Sequence, residues 1–301
     1  MAPVRQFPPG KFWFVTSRTL ESMFLLRPDP EAVQIMGFLL ARSLRLYPGI
    51  SCHGVVGLSN HPHLIVRDDT GDMSDFGEYF FGNLAREINH LRGRDGTVFP
   101  RPFSGEEILD DTALAERMAY LLLNPAADRL TQSYKDWPGL VAWQRYKPVQ
   151  EFRRIDRRSY DRARRSAELG SDLRPEDFME TELLCITPLP EELEVEAIER
   201  AVLAEEARLR IRKPGVLGRA KIVSVDPRAR PRNTKKEPRP LVHASSRAQW
   251  LEYREKRKAF LVAYFGASRR FRAGERDVPF PPWTFRPSTK VGRGVPVLSS
   301  A

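Results

Sequence analysis

Cysteine is nearly absent: the 301 residues include only Cys52 and Cys185, far apart and outside any metal-ligand spacing. That excludes a disulfide framework and a cysteine-based zinc site, and a reducing cytoplasm is the expected compartment. No apolar run reaches the roughly 20 residues that span a bilayer. Residues 1–10 lack the apolar stretch of a secretory signal. There is no internal repeat, so no solenoid is expected. Histidine is scarce, at five residues, which makes two close together conspicuous. Acidic residues run short at one end: residues 201–301 hold 24 Lys+Arg against 8 Asp+Glu, whereas residues 1–200 hold 25 against 31. A basic last third suits a polyanion, nucleic acid first, although a solubilising tail has the same composition.

What is present suffices for a globular core, with 41% hydrophobic residues. The aromatic and β-branched run 12–19 predicts a strand. From Pro30, apolar Val33, Met36, Leu40, Leu44 and Tyr47 recur at helical steps until Pro48-Gly49. Two β-type runs, 50–58 and 61–67, flank Ser59-Asn60 and predict an antiparallel hairpin. Residues 74–92 predict a helix with Ser74 as N-cap and Gly93 as stop. Short strands are expected within 97–109, then a helix from an Asp111 cap to Leu123, closed by Pro125. The order β, α, β, β, α, β, α predicts an α+β domain over 1–146: an antiparallel sheet with helices packed on one face. Residues 147–212 predict a helical extension, basic over 147–170 and acidic and partly helical over 174–200. Residues 213–301 predict a basic, Pro-rich linker, a helix over 247–272 and an extended tail.

Two short motifs carry chemistry. In Asn60-His61-Pro62-His63-Leu64, strand alternation turns His61 and His63 to one face. Paired imidazoles make poor core residues and good divalent-metal ligands. In Tyr120-Leu121-Leu122-Leu123-Asn124-Pro125, the i, i+4 spacing puts a phenol and an amide on one helix face. Tyr120 and Asn124 read equally as a core aromatic and a C-cap. His53 and His90 are expected to be structural or exposed.

Taken together these motifs resemble the HUH single-tyrosine transposases, above all the REP-associated tyrosine transposases, with their paired strand histidines and Tyr-x-x-x-Asn-Pro helix. The stretch Gly93-Arg94-Asp95-Gly96-Thr97-Val98-Phe99, the helix entry Asp110-Asp111 and Asp136-Trp137-Pro138 resemble further family motifs, so that the likeness covers most of residues 10–145. Val216-Leu217-Gly218, Asp226-Pro227, Arg239-Pro240 and Phe280-Pro281-Pro282-Trp283 resemble the tails of longer members. Pro62 departs from the usual apolar residue and implies an edge strand or a bulge. The family's Gly after Asn-Pro is missing.

The resemblance implies a ferredoxin/RRM-like HUH catalytic domain and a DNA strand transferase. His61, His63 and Asn124 would hold Mg2+ or Mn2+, and Tyr120 would form a 5′-phosphotyrosine with single-stranded, hairpin-forming DNA. Relatives act as dimers or as monomers, so a homodimer lies within the implication, as does a nucleoid-associated location in the cytoplasm. Arg153, Arg154, Arg157 and Arg158, and Arg228, Arg230, Arg232, Lys235, Lys236 and Arg239 in the tail, are candidate DNA contacts, and each also reads as a solvated face. Competing readings are a domesticated DNA-binding protein that no longer cuts, a transcription regulator on the same fold, and a metallohydrolase drawing on Asp68 and Asp69.

Overall fold

The computed structural model describes residues 4–166, 172–212, 214–231 and 242–287. Its strands are β1 (Lys11–Thr16), β2 (Ile50–Gly57), β3 (Pro62–Asp68), β4 (Ser104–Ile108), β5 (Val141–Trp143), β6 (Val149–Ile155), β7 (Met179–Cys185) and β8 (Val242–His243). Its helices are α1 (Pro30–Leu46), α2 (Met73–Leu91), α3 (Asp111–Ala127), α4 (Arg157–Ser166), α5 (Val195–Arg212), α6 (Arg219–Ser224) and α7 (Arg247–Arg272). Six strands form one sheet in the order β5-β2-β3-β1-β4-β8, antiparallel except for the β4–β8 pair, and β6 and β7 form a separate hairpin. Among the described residues no helix is long and apolar enough to cross a membrane.

The expected antiparallel α+β architecture is present, but the helices cover both faces of the sheet. The reason is visible in the strands, which are apolar at consecutive positions rather than alternating. Trp13, Val15, Leu64 and Val66 join α1 and α2 in one core, while Phe14, Val56 and Ile65 join α3 and α5 in the other. Asp29 starts α1 by accepting from Ala32 N at 3.1 Å, with Pro30 at the first helical position. Phe38, Leu39 and Leu40 on this helix are fully buried, each worth about 2 kcal/mol of apolar transfer.

Several local expectations need correcting. The basic stretch after residue 147, expected as helix, begins as β6, because Phe152 alternates with polar neighbours and buries its ring where Gly37 leaves room on α1. A Cβ on Gly37 would lie 2.3 Å from that ring. In the acidic stretch, β7 precedes α5. Pro125 does not end α3, which runs on to Ala127, and Asp110 rather than Asp111 caps it, accepting from Ala113 N at 2.8 Å. Asp72 occupies the N-cap position of α2 in place of Ser74. Within 97–109 only β4 forms. Pro62 is tolerated in a central strand because it is the strand's first residue, and the bulge lies on β2 instead, between Cys52 and Gly54. The missing Gly is replaced by Arg129 at φ 57°, whose carbonyl accepts from Leu217 N. Arg232, Lys235, Lys236 and Arg239 lie outside the described residues.

Candidate active site

His61 stands immediately before β3 and His63 one residue inside it, both buried, with ring centroids 4.5 Å apart. The neighbouring Asn60 fixes the chemistry of the first ring. Asn60 Oδ1 lies 2.6 Å from His61 Nδ1, while its amide nitrogen donates to Ser22 O. Nδ1 therefore carries the proton, and Nε2 keeps its lone pair. That lone pair accepts from the Arg18 guanidinium at 3.3 Å, so a cationic group already stands where a metal ligand would face its ion.

Tyr120 comes from the opposite side, on α3. Its ring is 6.1 Å from His63 and 5.8 Å from Phe14, and it is 43% exposed with Arg117 over it at 4.9 Å. Tyr120 is thus not a core aromatic. Asn124, one turn further on, is buried, and its amide nitrogen donates to Tyr120 O at 2.7 Å and Leu121 O at 3.3 Å. Pro125 explains this. It has no N–H for the carbonyl four residues earlier, Leu121 O, and the Asn124 amide takes over that acceptor. With the nitrogen committed to the backbone, Oδ1 is the end of Asn124 left to face other groups.

Phe14 is the hub of the site. Its ring stacks on His63 at 5.0 Å and meets Tyr120 and His243 edge-on, each at 5.8 Å. His243 had no sequence signal, being one histidine in a basic, Pro-rich stretch. Only the parallel pairing of β8 with β4 delivers it, and its Nε2 lies 2.9 Å from Glu106 Oε2, with both side chains buried. Cross-strand register adds Thr16 between His63 on β3 and Ser104 on β4. The Thr16 hydroxyl is buried with no hydrogen-bond partner among the described residues, a costly state unless a ligand supplies one.

The donor set suits a hard-to-borderline divalent cation: two imidazoles on one strand face and an amide oxygen on the facing helix. Among the described residues no three His, Cys, Asp or Glu side chains cluster, so a cation held by these histidines would take an oxygen of another type. Asp68 is unsuited to that work. It accepts from the backbone N–H groups of Thr70, Gly71, Asp72 and Met73, at the other end of β3, about 17 Å along the strand from His63. The metallohydrolase reading loses its carboxylate.

Other histidines are structural or exposed. His53 Nδ1 donates to Pro188 O at 2.9 Å, burial lowers its pKa, and His90 is exposed. The basic candidates divide by face. Arg153 and Arg154 lie on β6, whose hairpin packs on α1, across the sheet from Tyr120, and they pair with Glu151 and Glu87. Arg157 is exposed at the start of α4, and Arg158 follows it on that helix. Neither Arg153 nor Arg154 is brought to the histidines. Arg228 and Arg230 are closer in connectivity. Arg228 reaches Gly93 O and Arg230 pairs with Glu21. Their segment bonds to Phe24 and Arg27, in the loop whose Thr19 and Leu26 amides bond Asn60 O and Ser59 O.

No protein-family model and no curated protein matches the chain. Two solved structures are similar to part of it. A REP-associated tyrosine transposase bound to a REP hairpin is 21% identical with a TM-score of 0.40, over 48% of this chain and 84% of that one. A protein of Deinococcus radiodurans R1 described as a transposase is 16% identical with a TM-score of 0.29, over 40% of this chain and 95% of that one. Similarities of this size say nothing of activity.

Proposed function

We propose that this chain is a metal-dependent DNA strand transferase that nicks and rejoins single-stranded DNA through Tyr120. The reading is carried by one observation: His63 from β3, with His61 beside it, and Tyr120 from α3, some 60 residues apart in sequence, converge around Phe14. The motifs shared with the tyrosine transposases support the same assignment.

His61, His63 and Asn124 would hold the Mg2+ or Mn2+, which when bound supplies charge neutralisation and orientation at a scissile phosphate. The part played by the chain's own groups follows from their chemistry. Asn60 keeps His61 in the tautomer that leaves Nε2 as an acceptor. Arg18 neighbours that nitrogen and is suited to hold a phosphate oxygen once drawn away from it. The Tyr120 oxygen attacks phosphorus in line and gives up its proton to solvent. The bond to the 3′ oxygen breaks, that oxygen takes a proton, and the 5′ phosphate stays on tyrosine. A phenol of pKa about 10 is also a fair leaving group, so a returning 3′-OH reverses the step and rejoins the strand without ATP. A DNA strand beside a hairpin is the proposed substrate.

Arg18 beside His61 Nε2 also suits a second reading, a DNA-binding protein in which a guanidinium replaces the metal. One assay separates them. The protein is incubated with Mn2+ and a pool of single-stranded, hairpin-bearing DNAs, then denatured, and DNA that stays attached is measured. Strand transfer predicts an adduct that needs the metal and is reduced at least 1000-fold in Tyr120→Phe, with an unchanged melting temperature. Binding without any adduct would overturn it in favour of the non-cutting protein.

A further inference from the structure

A cleft of about 1010 Å3 lies away from the histidines, between α7 and the edge of β4. β8 pairs with β4 only at Glu107 and Ile108, so residues 104–106 have no strand beyond them, and α7 lies across this open half with a cleft between. The lining is basic and aromatic. Arg101, Arg257 and Arg272 contribute guanidinium groups, and no salt bridge to a carboxylate is formed by any of them among the described residues. The carboxylate in the wall, Glu106, is already bound to His243. Phe265 and Phe285 also line the cleft and are 44% and 37% exposed, an arrangement that costs hydration unless a flat partner covers them. Beyond Phe265 the same helix continues a basic surface, with Arg254, Lys258 and Arg269 around a second hollow.

The cleft opens at the edge of the sheet, where Ser104 and Glu106 from the α3 side meet Trp13, Phe103 and Ser74 from the side of α1 and α2. His63, Thr16 and Ser104 stand side by side on three adjacent strands and on one face, and Ser104 lines the cleft. Two strand spacings, about 10 Å, separate the ends of that row. Midway sits the buried Thr16 hydroxyl that has no partner among the described residues.

We propose that this cleft binds single-stranded polynucleotide, taking the unpaired nucleotides that adjoin the phosphate at His63. Guanidinium groups track the backbone, and Phe265 and Phe285 stack on bases, which tolerates any sequence. A double helix has its bases stacked inward and cannot use these rings. Only the role of the near end rests on the strand-transfer reading; the binding itself does not.

The test uses the full chain, without metal, and fluorescence anisotropy with a short oligo(dT) strand and a duplex of equal length. Phe265→Ala and Phe285→Ala are expected to weaken oligo(dT) binding about tenfold each. Arg272→Gln is expected to weaken it and to flatten the dependence of log Kd on log salt by about 0.7. The duplex should be little affected by any of them. All three positions are exposed, and melting curves check that folding is kept. Unchanged oligo(dT) affinity in all three variants overturns the proposal. So does an equal loss on the duplex, and so does a changed oligomeric state in Phe265→Ala with unaltered DNA binding, which would assign the patch to a second copy of the chain. Absence of a Tyr120 adduct together with weakened binding in the cleft variants would leave the cleft standing and remove strand transfer.

Discussion

Trp13, Val15, Leu64 and Val66 point from β1 and β3 toward α1 and α2, while Phe14, Thr16, His63 and Ile65, on the same two strands, point toward α3. The first side is filled with hydrocarbon. The second takes in His61, His63, Asn124 and the His243–Glu106 pair, all buried. Burying polar groups costs free energy unless each is bonded, and the α3 side accepts that cost repeatedly within a small area. One pleat thus separates a side filled with hydrocarbon from a side whose apolar core also encloses imidazoles, an amide and a His–Glu pair.

Adjacent residues test this separation most sharply. Leu64 has no exposed surface and belongs to the α1 side. Leu64→Ala should cost about 3–4 kcal/mol in urea unfolding and leave any shift of the melting temperature by Mn2+ unaltered. His63→Ala should do the reverse, costing about 1 kcal/mol or less and abolishing the Mn2+ shift. Equal destabilisation by the two, with the Mn2+ shift intact in His63→Ala, would make His63 a core residue and end the contrast.

The His243–Glu106 pair is the next largest test, because it is structural support placed on the chemical side. His243→Ala leaves the buried Glu106 carboxyl without its hydrogen-bond partner, which costs about 1–3 kcal/mol. Replacing both, His243→Leu with Glu106→Leu, should recover most of that loss. A single variant as stable as the wild type in urea would show that the pair does not anchor the tail.

Much of this was legible beforehand. The hairpin, α1, α2 and the extent of α7 follow from periodicity and stop residues. Spacing put His61 beside His63 and Tyr120 beside Asn124, since a pleat and a helical turn fix which neighbours share a face, but only the resemblance to the tyrosine transposases joined the two pairs into one candidate site. The unread parts depend on distant partners. The pattern of 147–155 carries too few apolar residues to choose strand over helix, and only the room left by Gly37 for Phe152 decides it. A strand buried on both faces gives no sign of which face its helices take, so one-sided packing was the wrong inference. His243 was unreadable, because a two-residue strand is made by its neighbour β4. The halting of α3 at Pro125 failed for an instructive reason: the side chain before it replaces the hydrogen bond that proline removes.

The α1 side does carry charge, but only at its rim, and this gives the smallest effect. Arg42 donates to Glu180 and Glu182, and Arg45 donates to Glu182, clasping β7 onto α1. Hydrogen bonds from Arg45, with those from Arg42, hold the Glu182 carboxyl below its ordinary value of 4.5, against the opposing effect of burial. A carboxyl lowered in the folded state adds stability above its unfolded value, and that stability is lost as pH falls through the folded one. Glu182→Gln keeps an acceptor and loses the charge, which should cost about 1 kcal/mol at pH 7. Measured by urea unfolding across pH, the gap between wild type and variant should be constant above about pH 5.5 and close progressively below pH 4.5. DNA binding at neutral pH should be the same in both. A gap that persists unchanged at pH 3 would mean that packing rather than charge holds the hairpin, and a loss of DNA binding would extend the functional surface from the cleft to the outer face of α1.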